Sequence, residues 1–211
     1  MKPLNEIYKK SFFGKRHKLH WRAPHVCGAI NDILEPRSVI DVGCATGDLV
    51  LCWREQFGIL SYGIEGSPEA NEFFVCDGIY NWDLRDNWKE KKHTFERCFD
   101  LVTCFEVAEH IEPEYATMFL NNLTMMSNKI LLSMAPPGQG GHYHVNCMPF
   151  IYWETLFHSF GYSYKEDTTL LIKKGMEPWK HKDGIRAFYN NLAFFEKRTK
   201  GWIERRTTNR D

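Results

Sequence analysis

Two acidic side chains and a histidine stand close together in the middle of the chain. Glu106 follows an apolar run at 99–105, and Glu109 and His110 come three and four residues later. This spacing allows the three side chains to point the same way if a helix already covers them. They would then suit a divalent cation, either an oxygen-preferring ion such as Mg²⁺ or Mn²⁺, or Fe²⁺ or Zn²⁺, which accept imidazole. Acids in the first turn of a helix also favour the helix dipole without a metal, so a structural role stays open.

A loop rich in glycine and proline carries further polar side chains. Residues 135–146 follow another apolar run and include His142, His144 and Asn146. The loops that follow parallel strands lie along one edge of the sheet, so we expect this loop to meet the Glu106 segment there. Because the two histidines alternate, we expect one of them to face the site.

A glycine turn in the first quarter of the chain is typical of nucleoside binding. Gly43 and Gly47 follow the β-branched run 38–42 and permit a tight turn that approaches a ligand closely. Glu65 comes 22 residues after Gly43, at the end of a second apolar run, where it can accept both hydroxyls of a ribose. The third glycine of a dinucleotide site is absent, which favours a nucleoside ligand.

Strands and helices alternate along the chain and would position these residues. Short apolar runs predict buried strands at 38–42, 60–64, 99–105 and 129–134. Helical apolar spacing predicts helices at 22–34, 49–57, 109–126 and 150–160. This alternation predicts an α/β fold with a mainly parallel sheet and helices on both faces.

Three further strands are expected outside this alternation, at 73–76, 162–166 and 168–173. No helix separates the last two, so they must pair antiparallel or not be neighbours.

The composition fits one domain. The chain has 211 residues, of which 43% are hydrophobic and 26% charged, and this balance excludes a wholly disordered protein. We divide residues 1–211 into an N-terminal helical arm (1–35), a sheet core (36–175) and a basic C-terminal segment (176–211).

The formal net charge is zero, but the charges are unevenly distributed. Residues 1–25 carry seven Lys/Arg against one acid, and residues 171–211 carry eleven against five. The basic ends are either solvated arms or arms that fold over a cleft and meet an anionic substrate. The aromatic residues of the first arm, Tyr8, Phe12 and Phe13, could likewise form a lid or a hydrophobic arm packed on the sheet.

The seven cysteines are scattered and include no CxxC pair, which indicates reduced thiols. No apolar run approaches the roughly 18 residues needed to span a bilayer. The basic N-terminus also lacks the apolar segment of a secretory signal. We therefore expect a cytoplasmic protein without membrane contacts. The sequence does not indicate an oligomeric state.

The segment VIDVGCATGD resembles the cofactor loop of class I S-adenosylmethionine-dependent methyltransferases. Asp41, Gly43, Ala45 and Gly47 occupy the positions of the family pattern, with Ala45 in place of a commoner glycine. The match covers roughly residues 36–175. It implies a Rossmann-like methyltransferase fold with a seven-stranded, mainly parallel sheet and an antiparallel final strand.

The same resemblance implies a set of residues that bind S-adenosylmethionine. The segment around Glu65 resembles the family's second motif, and the run 99–107 resembles its fourth strand. Asp83 resembles the acidic residue near the adenine, with Asp77 as its rival. The implied set is Asp41, Gly43, Cys44, Ala45, Gly47, Glu65, Gly66, Ser67, Asp83, Phe105 and Glu106.

The loop at 135–146 resembles that of small single-domain bacterial and phage methyltransferases, where a PGQGG run precedes His-x-Asn. This match implies His144 and Asn146 as pocket residues. The ExxEH string with a distant histidine also resembles the metal site of small-RNA 3′-terminal 2′-O-methyltransferases. ExxEH alone resembles ubiquinone-pathway O-methyltransferases. The implied ligands of Mg²⁺, Mn²⁺ or Fe²⁺ are Glu106, Glu109, His110 and His144.

Together these features predict a methyltransferase that transfers a methyl group in line to the hydroxyl of a small molecule or sugar. His144 is the first candidate for the base and His110 the second, with Asn146 orienting the substrate. A bound metal would instead lower the pKa of the hydroxyl. Two alternatives stay open: an RNA- or nucleotide-directed 2′-O-methyltransferase and a non-catalytic S-adenosylmethionine-binding protein. The neutral charge weighs against the first, and the intact cofactor loop weighs against the second.

Overall fold

The computed structural model describes residues 2–90 and 98–199. Seven strands in these residues form one sheet, in the order β3-β2-β1-β4-β5-β7-β6. The strands are β1 (Ser38–Val42), β2 (Leu60–Glu65), β3 (Ile79–Asn81), β4 (Leu101–Phe105), β5 (Lys129–Ser133), β6 (Tyr162–Tyr164) and β7 (Leu192–Lys197). The first five are parallel to one another, whereas β7 runs antiparallel to both β5 and β6. The predicted α/β fold and the seven-stranded, mainly parallel sheet are confirmed.

Helices cover both faces of this sheet, because side chains alternate along each strand. Val39, Leu101 and Leu131 face one layer, and Ile40, Val102 and Ile130 face the other. The helices are α1 (Leu4–Ile7), α2 (Lys10–Arg16), α3 (Ala23–Leu34), α4 (Asp48–Phe57), α5 (Ala116–Met126), α6 (Phe150–Ser159), α7 (Glu166–Met176) and α8 (Arg186–Asn191). Helices α3, α4, α7 and α8 pack in the first layer, and α5 and α6 in the second. No helix in the described part of the chain is both long and apolar enough to cross a membrane.

The predicted strand at 168–173 is wrong, because these residues belong to α7. Glu166 and Asp167 lie in its first turn and Lys173 in its last, which suits the helix dipole. The antiparallel partner of β6 is β7 instead. The sheet therefore continues past residue 175, because β7 lies within the basic C-terminal segment (176–211). Residues 200–211 of that segment lie outside the described residues.

Two other predictions differ from the structure. The strand expected at 73–76 does not form, since a 3₁₀ turn spans Pro68–Phe73 and β3 begins only at Ile79. Pro113 interrupts the helix expected at 109–126, which becomes two short 3₁₀ turns followed by α5.

Candidate functional site

A deep pocket opens at the carboxyl ends of β1, β2 and β4. It contains about 930 Å³ of space not filled by protein atoms, part of it open to solvent. Ten of the eleven residues predicted to bind a cofactor line it, and Gly47 does not. The N-terminal arm supplies one wall through Leu4, Tyr8, Phe12, Phe13 and Arg16.

The turn after β1 is shaped by backbone angles that suit glycine. Gly43 has a φ of 73° and Gly47 a φ of 82°. A Cβ on Gly43 would lie 2.3 Å from Val107, and a Cβ on Gly47 would lie 2.4 Å from Ile79. Ala45 also adopts a positive φ of 51°, so the departure from glycine places a methyl group in a strained conformation. The turn thus brings its backbone against the pocket.

Glu65 closes the pocket beside this turn. Its carboxylate accepts hydrogen bonds from the backbone N–H groups of Ala45 and Ser67, each at 2.9 Å. Burial raises the pKa of Glu65 to about 7, and these backbone bonds oppose the shift. Each oxygen retains a lone pair with which to accept a ligand hydroxyl.

Asp41 lies at the floor of the pocket and is almost fully buried. It accepts a hydrogen bond from the Thr103 hydroxyl at 2.7 Å. Burial raises the pKa of Asp41 to about 7 despite this bond.

Asp83 and Asp77 occupy different places. Asp83 lines the pocket, and its carboxylate is held by Arg85, with Nη2 to Oδ2 at 2.8 Å. Asp77 lies outside the pocket, where its exposed side chain pairs with Arg54. Of the two candidates for the acidic residue near the adenine, only Asp83 lies where a ligand in the pocket could contact it.

Three residues of the predicted metal set come together beside this pocket. Nε2 of His110 lies 4.0 Å from a carboxylate oxygen of Glu109, and Nε2 of His144 lies 3.9 Å from the same oxygen. The ligand atoms of the three residues all lie within 4.8 Å of one another. His110 also lines the pocket, so the cluster and the pocket adjoin.

The two histidines are oriented by backbone carbonyls. Nδ1 of His110 lies 3.1 Å from the oxygen of Tyr143, and Nδ1 of His144 lies 3.0 Å from the oxygen of Gln139. A carbonyl only accepts hydrogen bonds, so each neutral ring donates from Nδ1 and carries its lone pair on Nε2. Both lone pairs therefore face Glu109.

The carboxylate of Glu109 is fully buried, and neither of its oxygens accepts a hydrogen bond of good geometry from the described residues, although the backbone N–H groups of Glu109 and Ala135 act to lower its pKa. Burial and the nearby charge of Glu106 raise its pKa to about 8. Burial and the neighbouring His144 lower the pKa of His110 to about 4. Burying an ionised acid without a well-formed hydrogen bond costs free energy. This cost indicates that the cluster takes up a proton, a substrate or a cation.

Glu106, the fourth residue of the predicted metal set, lies outside this cluster. Its φ of 53° turns the backbone at the end of β4. One oxygen accepts a hydrogen bond from Gln139 and the other from Asn191, both at 3.0 Å. These bonds link β4 to the glycine-rich loop and to the end of α8.

The loop residues divide as their alternation predicts. His144 faces Glu109, whereas Nε2 of His142 lies 2.7 Å from the backbone oxygen of Ile7 in the arm. Asn146 is buried, and its backbone N–H donates to the Glu109 carbonyl at 2.9 Å. Neither polar atom of its side chain has a hydrogen-bond partner in the described part of the chain.

Sequence reasoning missed several residues of this site. Arg16 and Phe188 line the pocket, and Asn191 orients Glu106. The excess of basic residues in the arm was a signal for Arg16. Nothing in the local sequence marks Phe188 or Asn191, which reach the site through the fold.

Comparisons with known proteins bear on the family and the fold of this chain. The profile of a family described as methyltransferase domain matches residues 18–138. No curated protein matches the chain.

Several solved structures share the fold. An S-adenosylmethionine-dependent methyltransferase from Archaeoglobus fulgidus superposes with a TM-score of 0.60 at 16% identity, covering 90% of this chain and 100% of that one. The magnesium protoporphyrin IX methyltransferase of Synechocystis, solved with bound S-adenosylhomocysteine, gives a TM-score of 0.52 at 19% identity, covering 71% and 75%. A methyltransferase of Haloferax volcanii, solved with the activator Trm112, gives 0.61 at 13% identity, covering 90% and 97%.

Proposed function

The chain belongs to the family of methyltransferase domains, and from this premise we propose that it methylates a hydroxyl group of a small molecule or sugar, with S-adenosylmethionine as the donor. The observation that carries the proposal is the pair of histidine Nε2 atoms that face the buried carboxylate of Glu109 at the edge of the pocket. A hydroxyl acceptor must lose a proton during transfer, and an imidazole with a free lone pair can take it.

The residues of the pocket fit the donor. The glycine turn at 43–47 brings its backbone against the pocket, and Glu65 has lone pairs for the ribose hydroxyls. Asp83 and Leu84 line the side of the pocket on which we place the adenine. When bound, the donor supplies an already activated methyl group, so the protein has mainly to align the acceptor with it.

His144 is the residue to which we assign the acceptor proton. Its Nδ1 is fixed by the Gln139 carbonyl, and its Nε2 is free on the side of Glu109. Glu109 would stabilise the imidazolium that forms once it is ionised, which its pKa of about 8 places at mildly basic pH. The unpartnered amide of Asn146 remains available to orient the acceptor.

The same cluster fits a divalent cation. Two imidazole nitrogens with lone pairs and one carboxylate converge, and no described side chain donates a hydrogen bond to the carboxylate. Glu109, His110 and His144 would hold the ion, and Glu106 is engaged elsewhere. Two nitrogen donors favour Mn²⁺ or Fe²⁺ over Mg²⁺. A bound ion would lower the pKa of the acceptor hydroxyl.

Calorimetry tests the donor and the metal together. S-adenosylhomocysteine is titrated into protein stripped with EDTA, and Mg²⁺, Mn²⁺ and Fe²⁺ are then titrated separately. We expect S-adenosylhomocysteine to bind in every case, and Mn²⁺ or Fe²⁺ to give a heat that is lost in Glu109→Gln and His144→Ala. If S-adenosylhomocysteine does not bind, the proposed donor is refuted. If no metal ion gives a heat of binding, His144 would act as the base without a metal.

A methyl-transfer assay tests the acceptor. Labelled S-adenosylmethionine is offered with catechol, glucose and other diols, and with a matched panel of amines. We expect methylation of hydroxyl acceptors that falls about 100-fold or more in His144→Ala, a size typical of a lost general base. His158→Ala, which alters an exposed histidine of α6, serves as the control. Methylation confined to the amines would contradict the proposal.

A short RNA in the same panel tests the alternative substrate. Methylation of the RNA alone, falling steeply as salt is added, would identify a nucleic-acid acceptor, because phosphate contacts release counterions.

A further inference from the structure

Gln139 is anchored in a part of the glycine-rich loop that is otherwise exposed. Of the described residues 136–142, it alone is half-buried and the others are exposed. Its carbonyl belongs to the peptide unit that it shares with Gly140, and Gly141 follows. Because glycine restricts the backbone least, these neighbours allow the carbonyl many directions. The carbonyl therefore keeps one direction only if contacts of the Gln139 side chain hold it there.

The side chain of Gln139 is held by two residues from other elements. Its Nε2 donates a hydrogen bond to Oε2 of Glu106, at the end of β4, at 3.0 Å. Its Oε1 accepts one from Nδ2 of Asn191, at the end of α8, also at 3.0 Å. The same Nδ2 donates to Oε1 of Glu106 at 3.0 Å, so Asn191 uses both of its amide hydrogens. The three side chains close a ring of hydrogen bonds, which we call the Gln139 clamp.

The backbone carbonyl of Gln139 faces the candidate base. Nδ1 of His144 lies 3.0 Å from this oxygen, and Sγ of Cys147 lies 3.6 Å from it. A carbonyl can only accept, so the imidazole donates from Nδ1 and keeps its lone pair on Nε2. The clamp thus holds a residue whose main chain determines which nitrogen of His144 carries the proton.

His144 has neighbours that would favour the other tautomer. Sγ of Cys147 lies 3.5 Å from Nδ1, so the thiol could donate to that nitrogen if the Gln139 carbonyl turned away. Nε2 would then carry the proton and face Glu109, whose carboxylate receives no hydrogen bond from a described side chain. In that tautomer Nε2 has no lone pair with which to take a proton from an acceptor or to bind a metal. The direction of one carbonyl therefore decides between a reactive and an unreactive ring.

We propose that the Gln139 clamp selects the tautomer of His144 in which Nδ1 carries the proton and Nε2 the lone pair. Gln139, Glu106 and Asn191 act in this respect through the ring of His144, as positioning residues. The inference rests on the proposed role of His144 and adds the residues that keep its ring in the reactive form.

Nitrogen NMR of the metal-free protein measures the tautomer without donor or acceptor. The shifts of the two ring nitrogens show which one carries the proton in the neutral imidazole, and the spectrum of His144→Ala identifies the His144 signals. In the wild type we expect the proton on Nδ1. Asn191→Leu cannot bridge Glu106 and Gln139, so we expect His144 to lose the Nδ1–H signal in favour of Nε2–H.

Asn190→Leu is the matched control, since it makes the same substitution one residue earlier, at an exposed position. It should keep the wild-type tautomer of His144. His110 is an internal control, because the Tyr143 carbonyl fixes its Nδ1. An unchanged His144 tautomer in Asn191→Leu would overturn the inference. A change in both histidines would also overturn it, because the clamp would then hold the whole loop and not the His144 ring.

An exchange of donor and acceptor tests the ring of hydrogen bonds itself. Gln139→Glu places two carboxylates side by side and removes the donor to Glu106, so it should shift the His144 tautomer as Asn191→Leu does. Adding Glu106→Gln restores the net charge and allows all three hydrogen bonds, one of them reversed. The double variant should regain the Nδ1–H signal. A double variant that stays in the Nε2–H form would contradict the role of the clamp.

Metal binding and methyl transfer measure the consequence for the chemistry. Loss of a residue that orients a ligand typically lowers metal affinity or activity by about 10- to 100-fold. We expect a loss of this size in Mn²⁺ affinity or in kcat for hydroxyl acceptors in Asn191→Leu. The affinity for S-adenosylhomocysteine should not change, because Asn191 does not line the pocket. A tautomer change without either loss would refute the proposed role of His144 and not the inference, and failure to bind S-adenosylhomocysteine would refute only the donor.

Discussion

Gly141 leaves room for the ring of His144, although it carries no functional group. A Cβ at this position would lie 2.0 Å from His144 Nε2 and 2.3 Å from its Cε1, far inside contact distance. Gly141→Ala should therefore displace the imidazole of His144. It should abolish both the heat of Mn²⁺ or Fe²⁺ binding and the methylation of hydroxyl acceptors. S-adenosylhomocysteine binding should persist, because Gly141 does not line the pocket.

The adjacent glycine supplies the control for this substitution. A Cβ on Gly140 would meet nothing within 4 Å, so Gly140→Ala should behave as wild type in calorimetry and in the transfer assay. Equal activity of the two variants would show that His144 is not held in the position described.

Asp41 makes stability depend on pH in an unusual direction. Its pKa is raised from 3.8 to about 7 in the folded protein, so between these values the native state keeps a proton that the unfolded state releases. The free energy of unfolding therefore falls as pH rises through this range. Asp41→Asn keeps an acceptor for Thr103 and removes this titration.

Urea unfolding of both proteins without ligand measures the effect. From about pH 5 to about pH 8, the free energy of unfolding of the wild type should fall by about 2 kcal/mol relative to that of Asp41→Asn. The reason is that a difference of one bound proton between the two states changes this free energy by roughly 1.4 kcal/mol per pH unit. A constant difference between the two proteins would mean that Asp41 stays ionised in the fold.

At the scale of elements, α3 and α7 approach closely because Gly175 faces Ala29. A Cβ on Gly175 would lie 2.8 Å from Ala29 Cβ and 3.1 Å from its Cα. In an exposed helix, alanine in place of glycine would stabilise by about 1 kcal/mol. Here overpacking should dominate, so Gly175→Ala should lower the free energy of unfolding by about 1–3 kcal/mol.

A second substitution identifies the contact responsible. Ala29→Gly, added to Gly175→Ala, removes the opposing methyl group and should restore most of the loss in urea unfolding. Additive effects of the two changes would show that the helices do not touch at this point.

The elements also differ in how far sequence could predict them. The strands with uninterrupted apolar runs, such as 38–42, were located because their burial on both faces leaves a local signal. Residues 168–173 carry the same residue types, yet the charges at the two ends of α7 favour a helix. Glu106 shows a second limit, since its orienting partner Asn191 is 85 residues away along the chain. The pocket was predictable from its glycine turn, whereas Phe188 reaches the pocket, and Asn191 reaches Glu106, only through the fold.

At the scale of the whole molecule, the pocket joins parts of the chain from Leu4 to Phe188. A ligand that binds there links the arm, the sheet and α8, and stabilises the folded state by mass action. At about 100 times its Kd, S-adenosylhomocysteine should add about 2.7 kcal/mol, which for a chain of this size raises Tm by about 5–10 °C.

Thermal unfolding with and without S-adenosylhomocysteine checks this stabilisation. Glu65→Gln should reduce the shift, because the ribose loses a charged acceptor, and Asp77→Asn, outside the pocket, should leave it unchanged. An unchanged Tm in the wild type would contradict the nucleoside site.

The place of β7 has a consequence for how the protein is made. This strand lies between β5 and β6, although it follows both of them along the chain. When only the residues up to α7 have left the ribosome, one edge of β5 is unpaired and β6 has no partner strand. The sheet cannot close until Lys197 has emerged, and an exposed strand edge is a template for aggregation. We therefore expect chains that are truncated before Leu192 to be insoluble.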